Sequence, residues 1–265
     1  MNTHAVSLLY HDVVDGDIFD TSGFPGPSAG SYKLTAADFT GHLQAIEAAT
    51  CGPIVTVSEL LGSEPVAVPT ILTFDDGGAS AWSCVAPLLE ERGWRGCFFI
   101  TTDFIDKPGF LTTGQIRDLH GRGHDIGTHS CSHPSRISDC TREQLLDEWG
   151  NSVKVLEGIL GTPVAIASIP GGFYSREVAQ TAFECGIRTL FTSEPRSRIA
   201  YTADRMVIGR YMVKRGDPPS TVDDLIQGKR GQRMRQFVHW NTKKLAKNFL
   251  GPIYGYARRM YLAKR

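Results

Sequence analysis

Apolar runs of strand length recur along this chain, and polar segments of helix length separate them. The runs are AVSLLY (5–10), PTILTF (69–74), GCFFIT (96–101), HDIGTH (124–129), VAIASI (164–169) and IRTLFT (187–192). Amphipathic stretches fall near residues 35–49, 79–92, 113–121, 141–160 and 175–185. Near-continuous apolar strands divided by helices predict a parallel sheet covered on both faces, either an α/β barrel or a doubly wound sheet. Thr141 with Gln144 makes a capping-box pattern at one helix start, and Gly161 and Pro163 close that helix. The segment Asp12–Lys33 breaks the pattern. It is rich in Gly, Pro, Ser and Asp and reads as a long loop, either a binding loop or a plain surface excursion.

Composition adds limits. A chain of 265 residues that is 41% hydrophobic and 21% charged can bury a sizeable core in one large α/β domain. No apolar run reaches the roughly 20 residues of a membrane span, and no signal-peptide pattern is visible at the start. The six cysteines form no CxxC pair, so free thiols and a cytoplasmic setting, in solution or at the inner membrane face, are expected. Net charge is zero but uneven. Residues 229–265 hold 11 of the 28 Lys and Arg and none of the 28 Asp and Glu, leaving 17 basic against 28 acidic residues in the remainder. The chain therefore divides into a catalytic-domain candidate, 1–228, and a basic tail, 229–265, read as one or two amphipathic helices. The tail suits an anionic membrane surface, or packs on the acidic body of the protein itself. Nothing else supports nucleic-acid binding.

Two motifs carry chemistry. In ILTFDDGG (71–78) an apolar strand ends in adjacent carboxylates, Asp75 and Asp76. Two such charges are costly together unless a cation or a proton intervenes, although a solvated Asp-Gly turn has the same spelling. In HDIGTHSCSHP (124–134), His129 and His133 are spaced i, i+4, which in one helical turn puts both rings on one face. Strand ends of a parallel fold share one face, so these motifs meet there. An aspartate and two histidines make a three-ligand centre with open positions, suited to Zn²⁺, with Co²⁺, Ni²⁺ or Mn²⁺ as other fits. Cys131 should face away as a structural thiol, and His124 is left unassigned.

TFDDG followed by HSCSH resembles the first two motifs of the polysaccharide deacetylases, the NodB-type family 4 carbohydrate esterases, over roughly residues 5–213. The resemblance implies a distorted (β/α)7 barrel, Asp75 as catalytic base, and Asp76, His129 and His133 as metal ligands. Where that family places an arginine and an aromatic in its third motif, SIPGGFYS (168–175) has Ser168 and Gly171. The Gly171 N–H can still bind an oxyanion. The arginine that orients the catalytic aspartate is missing, and Arg210 is the candidate substitute in the substrate- and oxyanion-binding set. The family's late strand ending in histidine is absent too, while LLYHD (8–12) has its pattern at the start of the chain. The sequence looks like a circularly permuted member with His11 as general acid. The implied activity is removal of N-acetyl groups from an N-acetylated sugar in a polysaccharide or lipid-linked precursor. Hydrolysis of another non-peptide amide, or a silent carbohydrate-binding relative, are the competing readings.

Overall fold

The computed structural model describes residues 3–16, 18–62 and 67–242. Among them the main sheet has nine strands: β1 (Val6–Tyr10), β2 (Thr70–Phe74), β3 (Cys97–Ile100), β4 (Asp125–Thr128), β5 (Ile166–Ser168), β6 (Thr189–Phe191), β7 (Ala200–Thr202), β8 (Arg205–Ile208) and β9 (Tyr211–Met212). Their spatial order is β9-β1-β2-β3-β4-β5-β6-β8-β7, and only the β7–β8 pairing is antiparallel. The sheet curls into a half-barrel that stays open between β7 and β9, so the expected distorted barrel is incomplete on one side. All six predicted strands are present. The first strand lies inside the sheet, with Leu8 opposite Leu72 on one side and opposite Tyr211 on the other.

The predicted helices are α1 (Ala36–Ala49), α2 (Ala86–Glu90, entered through a wide π-type turn over Ala81–Val85), α3 (Thr113–Gly121), α4 (Arg142–Leu160) and α5 (Arg176–Glu184). The capping box of α4 forms as expected. Thr141 Oγ1 accepts the Gln144 N–H, and the Gln144 side chain accepts the Thr141 N–H. Gly161 ends the helix with φ 71°. Three further helices, the single turn Pro27–Gly30, Val57–Gly62 and α6 (Pro219–Ile226), escape the sequence pattern, and α6 packs on α1.

Period-two alternation sets what faces what. Leu8, Tyr10, Leu72, Phe74, Phe98 and Ile100 point outward into the helical layer. Ile71, Cys97, Phe99, Ile166, Phe191 and Ile208 point into the curl. Gly127 belongs to that inner set, where a Cβ would lie 2.7 Å from Ile166 and from the Phe99 ring. Continuing each inner series past its strand end leads to His11, Asp75, His129 and Arg210. The expected Asp12–Lys33 loop is present and tightly held. Lys33, 1% exposed, donates to the carbonyl oxygens of Phe19, Ser22 and Phe24 at 2.8, 2.6 and 2.6 Å.

Beyond Ile226 the chain enters a helix over residues 230–242. Lys229 pairs with Asp223 and Asp224, both at 2.7 Å. The Gln236 side chain accepts the Met212 N–H (3.1 Å) and donates to the Met212 carbonyl (2.8 Å). It thus pairs with the open edge of β9 as a further strand would. The start of the tail therefore packs on the protein, as one of the two sequence readings held. The remaining tail helix pattern, residues 243–265, lies outside the described residues.

Candidate active site

Asp75 continues the inner face of β2 and is 5% exposed. Asp76 would ordinarily point the other way. Its φ of 78°, followed by Gly77 at 80°, turns the chain so that both carboxylates reach one cleft. A non-glycine residue in this region costs of order 1–3 kcal/mol, a strain that clusters at functional sites.

Asp76, His129 and His133 offer ligand atoms that all lie within 4.8 Å of one another. Each histidine Nε2 is 3.6 Å from Asp76 Oδ1. Tetrahedral donors at about 2.0–2.1 Å from Zn²⁺ sit about 3.3–3.4 Å apart, so the set fits a divalent ion with little movement. His129 Nδ1 lies 2.9 Å from the Ser168 carbonyl oxygen. A carbonyl can only accept, so Nδ1 carries the proton and the Nε2 lone pair is directed at the ligand cluster. Burial pushes His129 down to about 3 despite the nearby Asp75 carboxylate, and burial lowers His133 as well. Both rings are therefore neutral, as metal ligands must be. Burial pushes the Asp76 carboxyl up to about 7, and the Asp75 and Asp12 carboxylates add to the effect while His11 opposes it. A cation among these atoms is what would keep Asp76 ionised.

The i, i+4 helical argument for the two histidines does not hold. Residues 129–133 form a loop in which Ser130 (φ 65°) and His133 (φ 54°) are left-handed. The loop is fixed by Glu148, whose carboxylate accepts the Cys131 and Ser132 N–H groups, both at 2.9 Å. Cys131 lies outside the ligand cluster, as expected. His124 serves the core, accepting the Gly96 N–H and pairing with Glu90 at 2.8 Å.

Arg210 resolves the missing arginine. It is fully buried, reaching in from the turn between β8 and β9. Nη1 and Nη2 bind Asp75 Oδ1 and Oδ2 at 2.7 and 2.9 Å. Nη2 also donates to Ser168 Oγ (2.7 Å), Nη1 to Thr73 Oγ1 (3.2 Å) and Nε to the Thr192 carbonyl (3.2 Å), so five hydrogen bonds hold the guanidinium. The Phe99 and Phe191 rings flank it at 5.8 and 5.7 Å. Ser168, standing where the motif arginine is expected, leaves the room this guanidinium fills. Burial favours protonation of Asp75, but Arg210 and His129 outweigh it and hold the carboxyl below the usual carboxylate range. The grouping of Arg210 with substrate-binding residues is corrected. At 0% exposure it lies behind Asp75 and acts through it.

His11 continues the inner face of β1 and lines the cleft with Asp75, Asp76, His129 and His133. Its ring packs on Tyr32 at 5.0 Å. Asp12 points the other way, buried, with its Oδ1 accepting from Ser22 and Ser80 at 2.6 and 2.8 Å. Gly171 also lines the cleft. The turn around it uses the N–H groups of Gly172, Phe173 and Tyr174, while that of Gly171 makes no backbone hydrogen bond among the described residues. At φ 61° an aromatic side chain at 171 would be strained, and its Cβ would lie 2.9 Å from the Phe173 ring. Phe173 and Tyr174 provide the aromatic lining instead. The cleft encloses about 830 Å3. One wall went unread in the sequence: Gln232, Arg235, His239 and Trp240 of the 230–242 helix also line it.

A curled parallel sheet with carboxylates and histidines gathered at its C-terminal edge defines the barrel-like α/β fold of the NodB type. Residues 65–190 match the family model described as polysaccharide deacetylase. The match includes Asp75, Asp76, His129, His133 and Gly171 but stops short of His11 and Arg210. YxkH of Bacillus subtilis (strain 168) is 26% identical over 125 residues, 47% of this chain and 44% of that protein. The chain thus spans less than half the length of that relative. Among solved structures, a polysaccharide deacetylase from Bacillus cereus superposes with a TM-score of 0.71 at 18% identity, covering 84% of this chain and 69% of that one. IcaB from Ammonifex degensii gives 0.69 at 18% identity, covering 85% and 98%. These two likenesses concern the fold.

Proposed function

We propose that the protein is a metal-dependent hydrolase that removes N-acetyl groups from an N-acetylated sugar in a polysaccharide or a lipid-linked glycan precursor. One observation carries the reading: a buried, arginine-held carboxylate, a two-histidine, one-aspartate cluster and a further histidine face one another across one cleft. Asp76, His129 and His133 would hold the metal, Zn²⁺ suiting the donors best and Co²⁺, Ni²⁺ or Mn²⁺ fitting as well. When bound, such an ion would polarise the acetamide carbonyl and acidify a water. Asp75, kept ionised by Arg210, accepts the proton of the attacking water. The Gly171 N–H donates to the oxygen that gains charge. His11, lining the same cleft, gives a proton to the departing nitrogen, without which an amine leaves poorly. The products are acetate and a free amino sugar.

Acetate release from a panel of N-acetylated saccharides, after chelation and after metal is restored, tests this. Acetate formed only with metal supports it. Glycan binding without acetate release would identify a silent relative, and turnover of non-sugar amides alone would favour the other amide hydrolase.

We further infer docking on an anionic bilayer, as at the inner membrane face. The support is an exposed stripe at i, i+3, i+4 on the 230–242 helix, formed by Met234, Phe237 and Val238, within a segment that has no acidic residue from 229 onward. All six cysteines are free, as suits a reducing compartment. Co-sedimentation with vesicles containing an anionic lipid, and not with zwitterionic vesicles, is the expected result. The triple variant Met234→Ser, Phe237→Ser, Val238→Ser should stay in the supernatant. Equal pelleting of variant and parent overturns the assignment.

A further inference from the structure

Three cationic side chains line the cleft: Arg136, Lys214 and Arg235. Arg136 is engaged, 3.3 Å from Asp139 and stacked over Phe173 at 5.4 Å. Lys214 and Arg235 make no ion pair among the described residues. Lys214 Nζ lies over the Tyr32 ring at 5.4 Å, and the other neighbour of that ring is His11, at 5.0 Å. Laid end to end, these separations put the Lys214 ammonium no more than about 10.4 Å from the His11 ring. That is a span one sugar residue and its substituent can bridge.

The chain places Arg235 in the same neighbourhood. Gln236 is clamped to both backbone groups of Met212. Arg235 is the residue before Gln236, and Lys214 lies two residues past Met212 on the same alternating face. The clamp thus joins the helix carrying Arg235 to the strand end leading to Lys214, and this joined rim contributes both cations to the cleft lining. Carboxylates within the cleft do not answer them. Asp75 is paired with Arg210, Asp76 belongs to the ligand cluster, and Asp217, which accepts the Lys214 backbone N–H at 2.9 Å, forms no ion pair with either cation among the described residues.

We propose that this rim is an anion subsite, and that the substrate carries a phosphate or carboxylate about one sugar residue from the amide that is cleaved. Lys214 and Arg235 bind that group, Arg235 through its planar donors and Lys214 as a point charge. The proposal rests on the deacetylase reading for the identity of the sugar, but the subsite is a matter of binding and is tested without turnover.

Binding is measured by calorimetry on the metal-loaded Asp75→Asn protein. The probes are N-acetylglucosamine 1-phosphate, an N-acetylated disaccharide ending in a uronate, and the uncharged methyl glycoside of N-acetylglucosamine. At least one charged probe should bind more tightly than the glycoside, and added salt should weaken that preference. The phosphate and uronate arms separate the two sources of charge. Lys214→Met and Arg235→Gln should each reduce the preference for the charged probe about tenfold, the scale of a lost hydrogen bond to a charged group. Equal affinity for charged and neutral probes, or an equal fall for both in the variants, overturns the subsite. Absent acetate release by the metal-loaded parent protein, with an intact charge preference in the binding experiment, would defeat the deacetylase reading and leave the subsite standing.

Discussion

Replacing Arg210 by methionine isolates the interaction on which Asp75 depends. The guanidinium and carboxylate meet through two hydrogen bonds of 2.7 and 2.9 Å, with Arg210 fully buried and Asp75 only 5% exposed at the cleft floor. Unit charges about 4 Å apart interact by about 4 kcal/mol at an effective dielectric of about 20. Losing that attraction raises the proton affinity of Asp75 by about a thousandfold. Asp75 is held below the usual carboxylate range in the parent. The pair's contribution to stability is thus present above that range and fades as pH falls through the folded value. In the methionine variant, burial acts with far less opposition, so the acidic limb of the kcat/KM profile for acetate release should move up towards neutral pH. Unfolding in urea should show a loss of about 3–5 kcal/mol, the usual cost of leaving one partner of a buried pair behind. Arg210→Lys restores a charge without the five-bond geometry and should fall between the two. An acidic limb that stays in place in a folded, metal-loaded Arg210→Met protein would refute the reasoning.

His11→Ala should lower kcat by about 10²–10⁴-fold, the range of general acid–base contributions, while metal content by atomic absorption stays that of the parent. Asp76→Ala should purify without stoichiometric metal and without activity, and full occupancy would remove Asp76 from the ligand set. For the metal-free protein, His129 at about 3 in the fold binds fewer protons than the unfolded chain does. His129 therefore contributes a loss of up to about 1.4 kcal/mol per pH unit from about pH 6.5 to about 3, but Asp76, held protonated in the fold up to about 7, opposes it above about pH 4, so the net fall should steepen below about pH 4. Urea midpoints across that window read this directly.

The sheet was legible because its strands are apolar runs between strong helix signals, and the six predicted strands and five predicted helices are all present. The ligand residues were legible because two polar clusters each follow an apolar run, although the spacing of His129 and His133 pointed to a helix and the backbone there is a left-handed loop. The short strands β7 to β9 were not readable. Arg205–Ile208 is a brief apolar stretch amid charge, and Tyr211–Met212 is too short to show a period. Arg210 could be suggested as a stand-in for the absent arginine, but its contact with Asp75 depends on a sheet neighbourhood no local pattern encodes. The helical wall of the cleft was hidden for a similar reason. Its charge drew attention outward, while Gln236, an unremarkable polar residue in the sequence, is what fastens it to β9.

The position of β1 bears on how the protein is made. Leu8 pairs with Leu72 and with Tyr211, partners 64 and 203 residues along the chain. At about 5–20 residues per second, about 10–40 s of synthesis separate the strand that carries His11 from the one beside Arg210. Through that interval β1 can be flanked on one side only, and the seam between the strand that carries His11 and the strand beside the aspartate-holding arginine cannot close. Such distant pairing slows folding, and it leaves an apolar strand edge open on the nascent chain. Assembly of the cleft is thereby tied to completion of the sheet, so a chain cut short before Arg210 would carry Asp76, His129 and His133 and lack the guanidinium that holds Asp75.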